Sequence, residues 1–181
     1  PLNQGLLMRQ AARVYPCTPL GVMKLVDLAS LNVSIGVGDK LPKLSRTDLS
    51  GKRVVIIGRS ILVGKPLVFM FLERNATVTI VHSKTANPSE LTRAADVVVA
   101  AVGVAGLVKS DWVSKNSIVI DVGINRLATG QLVGDVDFNS VAEHCAAITP
   151  VPGGVGPMTV TMLLYNTYRL YCSRLDLKPE I

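Results

Sequence analysis

Between residues 52 and 149, short runs of β-branched apolar residues alternate with short stretches of helical spacing. KRVVIIG (52–58) predicts a buried strand closed by a glycine turn. Lys65-Pro66 opens a helix reaching about residue 74, with the proline near its first turn. ATVTIV (76–81) predicts a second strand, and residues 87–95 a short helix that Asn87, ahead of Pro88, is expected to cap. DVVVAAVG (96–103) and SIVIDVG (117–123) predict two more strands. All these runs are apolar at consecutive positions, so both faces of each strand need cover. That is the sequence form of a parallel sheet with helices on both sides rather than an antiparallel sandwich.

The flanks are less regular. PLGVMKLVDLA (19–29) reads as a helix with Val22, Leu25 and Val26 on one face, and a connecting region rich in Gly, Pro and Ser follows, as far as Gly51. Residues 125–135 read as a hairpin around Thr129-Gly130, residues 138–146 as a helix and residues 146–149 as a last short strand. The loop PVPGGVGP (150–157) feeds a long helix over about 158–174. Met158, Met162 and Tyr165 fall on one face of that helix, and Val160, Leu163, Leu164 and Tyr171 on another. Such a helix expects cover on two sides, so exposed apolar surface and aggregation of the isolated chain are expected. There are no internal repeats.

Composition narrows the class. At about 150 residues per domain, 181 residues make one domain and a remainder. With 49% hydrophobic and 18% charged residues, the chain is globular and not disordered. The longest nearly unbroken apolar run, residues 97–108, is too short for the roughly 20 residues of a membrane span. The chain opens on Pro1 rather than Met, which sets the expectation that something upstream has been removed or left out. Nineteen basic against 13 acidic residues leave a net charge of +6, suited to a polyanion or a phosphorylated cofactor. The densest basic stretch carries Lys40, Lys43, Arg46, Lys52 and Arg53 with no aromatic residue among them. It reads as a solvated connection, and no nucleic-acid partner is expected. Cys17, Cys145 and Cys172 are odd in number, far apart and without ligand-spaced histidines. They fit a reducing compartment, with neither a disulfide framework nor a metal site.

The candidate chemistry starts at GRSILVG (58–64), where strand gives way to helix. Backbone N–H groups and the positive helix end can accept a pyrophosphate at such a turn. The stretch is not G-x-G-x-x-G, however, since Ser60 holds the middle position; an ordinary tight turn is an equal reading. An NAD-specific fold places an acid at the end of the second strand to hold the ribose 2′-hydroxyl. Here that end reads Val81-His82-Ser83-Lys84-Thr85. Ser83 can hydrogen-bond a 2′-phosphate while Lys84 and Arg59 offset its charge, which favours NADP over NAD. His82 reads most simply as a strand-end residue without a chemical role, and His144 as a surface residue.

PCTPLG (16–21), GRSILVGKPL (58–67), ATVTIVHSKT (76–85), DVVVAAVG (96–103), VIDVGINR (119–126), GDVDF (134–138) and TPVPGGVGPMTVTMLL (149–164) form an ordered series. In identity, order and spacing the series resembles the bifunctional 5,10-methylenetetrahydrofolate dehydrogenase/cyclohydrolase family. The resemblance implies an α/β fold, a Rossmann-like, mostly parallel sheet with helices on both faces, plus flanking segments of a catalytic domain. Residues 1–30 would be an edge of that catalytic domain, 31–150 the NADP-binding domain, and 151–181 a folate-site loop and returning helix. Gly58, Arg59, Ser60 and Ser83 would bind the adenosine phosphates of NADP, and Ile124 would line the nicotinamide site. Pro150, Val151, Pro152, Gly153, Gly154, Val155, Gly156, Pro157 and Met158 would lie against the folate and the nicotinamide; their composition alone does not decide between that role and a rigid turn before the last helix. The Asp135-Val136-Asp137-Phe138 element is assigned a structural role.

The family's catalytic lysine lies in a Y-x-x-x-K segment, followed by Q-x-P-L-P and D-V-D-G-x-H-P-x-N, and none of these occurs in the 181 residues. Pro1-Leu2-Asn3 looks like the tail of the last. No catalytic residue is therefore expected within this chain, and its turnover alone is expected to be negligible. The implied substrates are tetrahydrofolate derivatives, the implied assembly a homodimer and the implied location the cytoplasm, with the mitochondrion open. The alternative is a stand-alone NADP-binding or interaction module without catalysis.

Overall fold

The structure, a computed structural model, describes residues 2–31 and 44–178; most of the Gly/Pro/Ser-rich connection, with Lys40 and Lys43, lies outside the described residues. Two helices come first, α1 (Leu2–Met8) and α2 (Cys17–Ser30). The alternating part then runs β1 (Arg53–Ile57), α3 (Gly64–Leu72), β2 (Thr77–Val81), α4 (Pro88–Arg93), β3 (Val97–Ala100) and β4 (Ile118–Asp121). The hairpin β5 (Asn125–Arg126) and β6 (Leu132–Val133), a short helix α5 (Phe138–Val141), β7 (Ala147–Ile148) and the long α6 (Val155–Arg174) complete it.

The five main strands form one sheet in the order β2-β1-β3-β4-β7. Every neighbouring pair in it is parallel. The register puts Val81, Ile57, Ala100 and Asp121 in one row across the carboxyl end. Four chain segments therefore leave the sheet at the same height. The ladder continues one step beyond that row: the amides of Gly58, Ala101 and Val122 donate to Val81, Ile57 and Ala100.

Successive strand residues face opposite sides, and the apolar runs fill two cores. Val54, Ile56, Val97, Val99 and Ile120 pack with Val22, Met23 and Val26 of α2 and with Leu67, Met70 and Phe71 of α3. On the other face Val55, Ile57, Val98, Ala100 and Val119 pack with Val108, Val113, Val136 and Val141. The expectation of a parallel sheet covered on both faces is met, and the cover includes α2 from the N-terminal flank.

Several boundaries differ from those expected. Asn87 does precede α4, but it sits in the left-handed region at φ 46° and makes no side-chain cap. An asparagine tolerates that conformation, and here the backbone bend decides the helix start. Residues 138–146 divide into a single α turn and a 3₁₀ turn over Ala142–His144. Helix α6 begins at Val155, three residues before the expected start. Gly156 and Pro157 thus lie in its first turn, where amide hydrogens have no intrahelical acceptor and a proline removes nothing. Helix α1, to which no element was assigned from sequence, places Leu7 in the first core.

Helices α2 and α6 pack closely. The Thr18 and Thr159 hydroxyls are 3.0 Å apart, and buried Asn166 donates from Nδ2 to the Tyr15 carbonyl at 2.8 Å. A buried ion pair of Arg74 with Asp27 ties the end of α3 to α2. Asp27 also accepts the amide of Thr47 at 3.0 Å, which fastens the segment leading into β1.

Candidate functional site

In a parallel sheet of this order the connections from β1 and β3 depart to opposite faces, and the crevice between them is where ligands bind in open α/β folds. A cleft of about 540 Å³ occupies that position. Its near wall is Gly58, Arg59 and Ser60 after β1, its far wall Ala101, Val102, Val104 and Leu107 after β3. Val81, His82 and Ser83 close one end, with Pro88 and Trp112 beside them. The structure thus brings together Gly58, Arg59, Ser60 and Ser83.

Glycine is required at the mouth of this turn. Gly58 sits at φ 118°, and a Cβ there would collide with the Ala101 carbonyl. The turns after β1 and β3 thus approach each other closely where both line the cleft. Ser60, at the middle position, braces the turn, since its hydroxyl accepts the amide of Val63 at 3.1 Å and that of Gly64 at 3.4 Å. It thereby holds the entry to α3, whose capping residue Val63 has no side-chain acceptor of its own. Arg59 and Ser83 are exposed at the cleft.

The turn after β2 closes on itself. The His82 amide donates to Thr85 Oγ1 at 3.0 Å, and the Lys84 amide donates to His82 Nδ1 at 3.2 Å. His82 therefore shapes the turn that presents Ser83. His144 is exposed on its 3₁₀ turn.

Ile124 lies elsewhere, one strand further along. It lines a pocket of about 80 Å³ with Asp121, Val122, Gly123, Leu132 and every residue from Pro150 to Pro157. Met158 is absent from that lining and packs from α6 against Gly21 of α2, where an added Cβ would come within 3.1 Å of Met158 Cβ. The loop is anchored at its start, because buried Thr149 accepts the amide of Asp121 at 2.8 Å. Gly153 stands at φ 108°.

Two buried carboxylates stand beside these sites, Asp121 lining the pocket and Asp135 bonded to the turns on either side. Asp121, at the end of β4, accepts the amides of Gly123, Asp135 and Val136 at 2.9–3.0 Å. Asp135 accepts the amides of Val102 (2.6 Å), Gly103 (2.9 Å) and Val104 (3.0 Å), and the side-chain amide of Asn125 (2.9 Å). Burial pushes the Asp121 carboxyl above the usual range, outweighing its three amide donors, and the charge of Asp135 adds to the rise.

The sequence motifs contain both acids but give neither a partner. One signal was available: an acid ending the apolar run IVID has to find donors in the protein. Trp112, Val104 and Leu107 were also missed as cleft residues, because the segment carrying them has no regular period. Among the described residues no cluster of His, Cys, Asp and Glu is arranged to hold a metal ion. No helix among them is long and apolar enough to cross a membrane.

A doubly wound α/β domain with its cleft at the switch point, a glycine turn beside it and no acid at the second strand end has the architecture of a dinucleotide-binding domain. The family profile described as tetrahydrofolate dehydrogenase/cyclohydrolase, NAD(P)-binding domain, matches residues 32–175, and the chain belongs to this family. It is 52% identical over 167 residues to the bifunctional protein FolD 2 of Geobacter sulfurreducens, covering 92% of this chain and 53% of that protein. It is also 52% identical over 171 residues to the bifunctional protein FolD of Anaeromyxobacter dehalogenans, covering 94% and 55%.

Among solved structures, FolD methylenetetrahydrofolate dehydrogenase/cyclohydrolase from Campylobacter jejuni superposes with a TM-score of 0.82 at 44% identity, over 98% of this chain and 57% of that one. The Trypanosoma brucei FolD structure, a complex with NADP cofactor and inhibitor, superposes with a TM-score of 0.83 at 37% identity, over 97% and 57%. The chain spans about half the length of the curated relatives it matches.

Proposed function

We propose that this chain is the cofactor-binding portion of an enzyme that oxidises 5,10-methylenetetrahydrofolate to 5,10-methenyltetrahydrofolate with NADP⁺ and hydrolyses the product to 10-formyltetrahydrofolate. The observation that carries the reading is the convergence of Gly58, Arg59, Ser60 and Ser83 on one cleft at the switch point, within a chain of this family. The residues fit the group: Gly58 leaves no room for a side chain, and the second strand ends in Ser83 and Lys84 with no carboxylate to repel a 2′-phosphate.

In this reading Arg59 and Ser83 hold the 2′-phosphate, and the turn held by Ser60 offers its amides to the pyrophosphate. Ile124 faces the nicotinamide, and the loop from Pro150 to Pro157 borders the folate, while Met158 packs against Gly21 instead. The bound dinucleotide supplies a nicotinamide ring that accepts the hydride. The chain's own contribution is orientation, with the apolar walls Val102, Val104 and Leu107 flanking the adenosine end of the dinucleotide. The proton transfer of the hydrolytic step needs a positioned acid–base group, and none is assigned within these 181 residues. The boundaries 1–30, 31–150 and 151–181 follow from the same reading, as do a homodimer and a cytoplasmic location.

Trp112, the only tryptophan, lines the cleft and reports occupancy by its emission. Titration with NADPH should quench it with higher affinity than titration with NADH. Arg59→Ala should weaken NADPH by about tenfold or more and NADH little, as expected for loss of a charged hydrogen bond. The chain should bind NADPH without turning over methylenetetrahydrofolate. Equal affinity for the two nucleotides in the wild-type chain would refute the 2′-phosphate assignment, and measurable dehydrogenase activity abolished by Arg59→Ala would refute the division of labour.

A further inference from the structure

We infer that Asp135 is a positioning residue that sets the spacing between the adenosine cleft and the Ile124 pocket, so that one dinucleotide can occupy both. The inference rests on the reading of the cleft as a cofactor site.

The geometry is that of a clamp. One oxygen of Asp135 takes the amides of Val102 and Gly103, and the other takes the amide of Val104 and Nδ2 of Asn125. Val102 and Val104 form the cleft wall facing Gly58 and Ser60, while Asn125 directly follows Ile124. A single carboxylate thus ties the wall of one subsite to the turn that builds the other. Its own backbone is fixed in turn, because the Asp135 amide donates to Asp121 at 3.0 Å. Asp121 also holds Gly123 through Oδ1, and its amide is bound to Thr149 at the root of the 150–157 loop.

Tight packing shows that the clamp has little slack. A Cβ at Gly123 would overlap Asp135 Oδ1, and one at Gly134 would overlap Asp121 Oδ2. All four groups held by Asp135 are donors, so the position calls for an acceptor at both oxygens. Asparagine there would turn an NH₂ onto at least one N–H and release one side of the clamp.

A ligand spanning two subsites gains affinity from their fixed separation, whereas a ligand filling one does not. The test therefore compares NADPH with adenosine 2′,5′-bisphosphate, which fills only the adenosine end, using Trp112 emission and displacement. In Asp135→Asn, NADPH affinity should fall by about tenfold or more and that of the bisphosphate by about threefold or less. Asn125→Ala removes one arm and leaves the three amide bonds. It should cost NADPH a few-fold and the bisphosphate nothing, and it decides the matter if Asp135→Asn does not fold. Parallel losses for both ligands, or no loss for either in a folded variant, would overturn the clamp while leaving the cofactor reading intact. Failure of the wild-type chain to bind NADPH would instead remove the cofactor reading and the clamp with it.

Discussion

At the residue scale, the carboxylates of this chain have opposite linkages to pH. Burial works against the charge of Asp96, yet its carboxyl is held below the usual range because it accepts the Arg53 amide at 2.9 Å and lies 3.2 Å from Lys52 Nζ. The unfolded chain, with an ordinary value near 3.9, then binds more protons than the native one in the window between the two values. The stabilisation from Asp96 is present above about pH 4 and is lost as pH falls through the native value. Asp48, held down by Asn75 and Ser50, follows the same direction. Asp121 runs the other way, since its raised value lets the native protein take up a proton first. Its contribution grows as pH falls and shrinks as pH rises through the native value. Asp96→Ala should cost about 1 kcal/mol at pH 7 in urea unfolding, for one amide bond and a half-exposed ion pair. The difference from wild type should shrink as pH falls from about 4 through the native value; a cost independent of pH would show that the charge of Asp96 is not what stabilises.

At the scale of elements, the strands were plain in the sequence because VVII, TVTIV, VVVA and IVID are apolar or β-branched at nearly every position, which only a doubly covered sheet demands. Helix α1 was not legible, since LNQGLLM is short and its single buried residue, Leu7, gives no period. The early start of α6 was hidden by Gly156 and Pro157, which read as loop residues and are also tolerated in a first helical turn. The site was legible where chemistry demands a particular residue, as at Gly58, and illegible where partners come from distant turns, as for Asp135. The two-faced character expected of α6 is borne out: Met162 is 6% exposed, whereas Leu163 and Leu164 are 56% and 66% exposed. Leu163→Glu with Leu164→Lys should therefore leave stability within about 0.5 kcal/mol, as for surface changes generally. Light scattering should show less self-association; unchanged scattering would mean that this face does not drive it.

At the scale of the whole molecule, the strand residues of the two cores run up to and include Val81, Ile57 and Ala100 in the row that ends at Asp121, and the turns lining the candidate site follow that row. The framework is set by apolar strands, while the candidate site is lined mainly by turns that contribute few residues to those cores. The two are joined at the glycine turn, where Gly58 touches Ala101, and at the Asp121–Asp135 pair. The turn after β2 stands apart from both joints, because its hydrogen bonds among His82, Lys84 and Thr85 stay within four residues.

That turn is consequently an exchangeable cassette. Its internal bonds come and go with it, so a replacement of residues 82–85 by a turn bearing an acid need not disturb the strand beneath. Such a graft, with Arg59 left in place, should lower the proposed preference for NADPH over NADH at nearly constant melting temperature, read by paired titrations and thermal unfolding. A graft that unfolds the chain would show that the rim and the core are one unit. If the cassette transfers, the ligand choice of this domain can be rewritten in four positions without reopening the problem of how it folds.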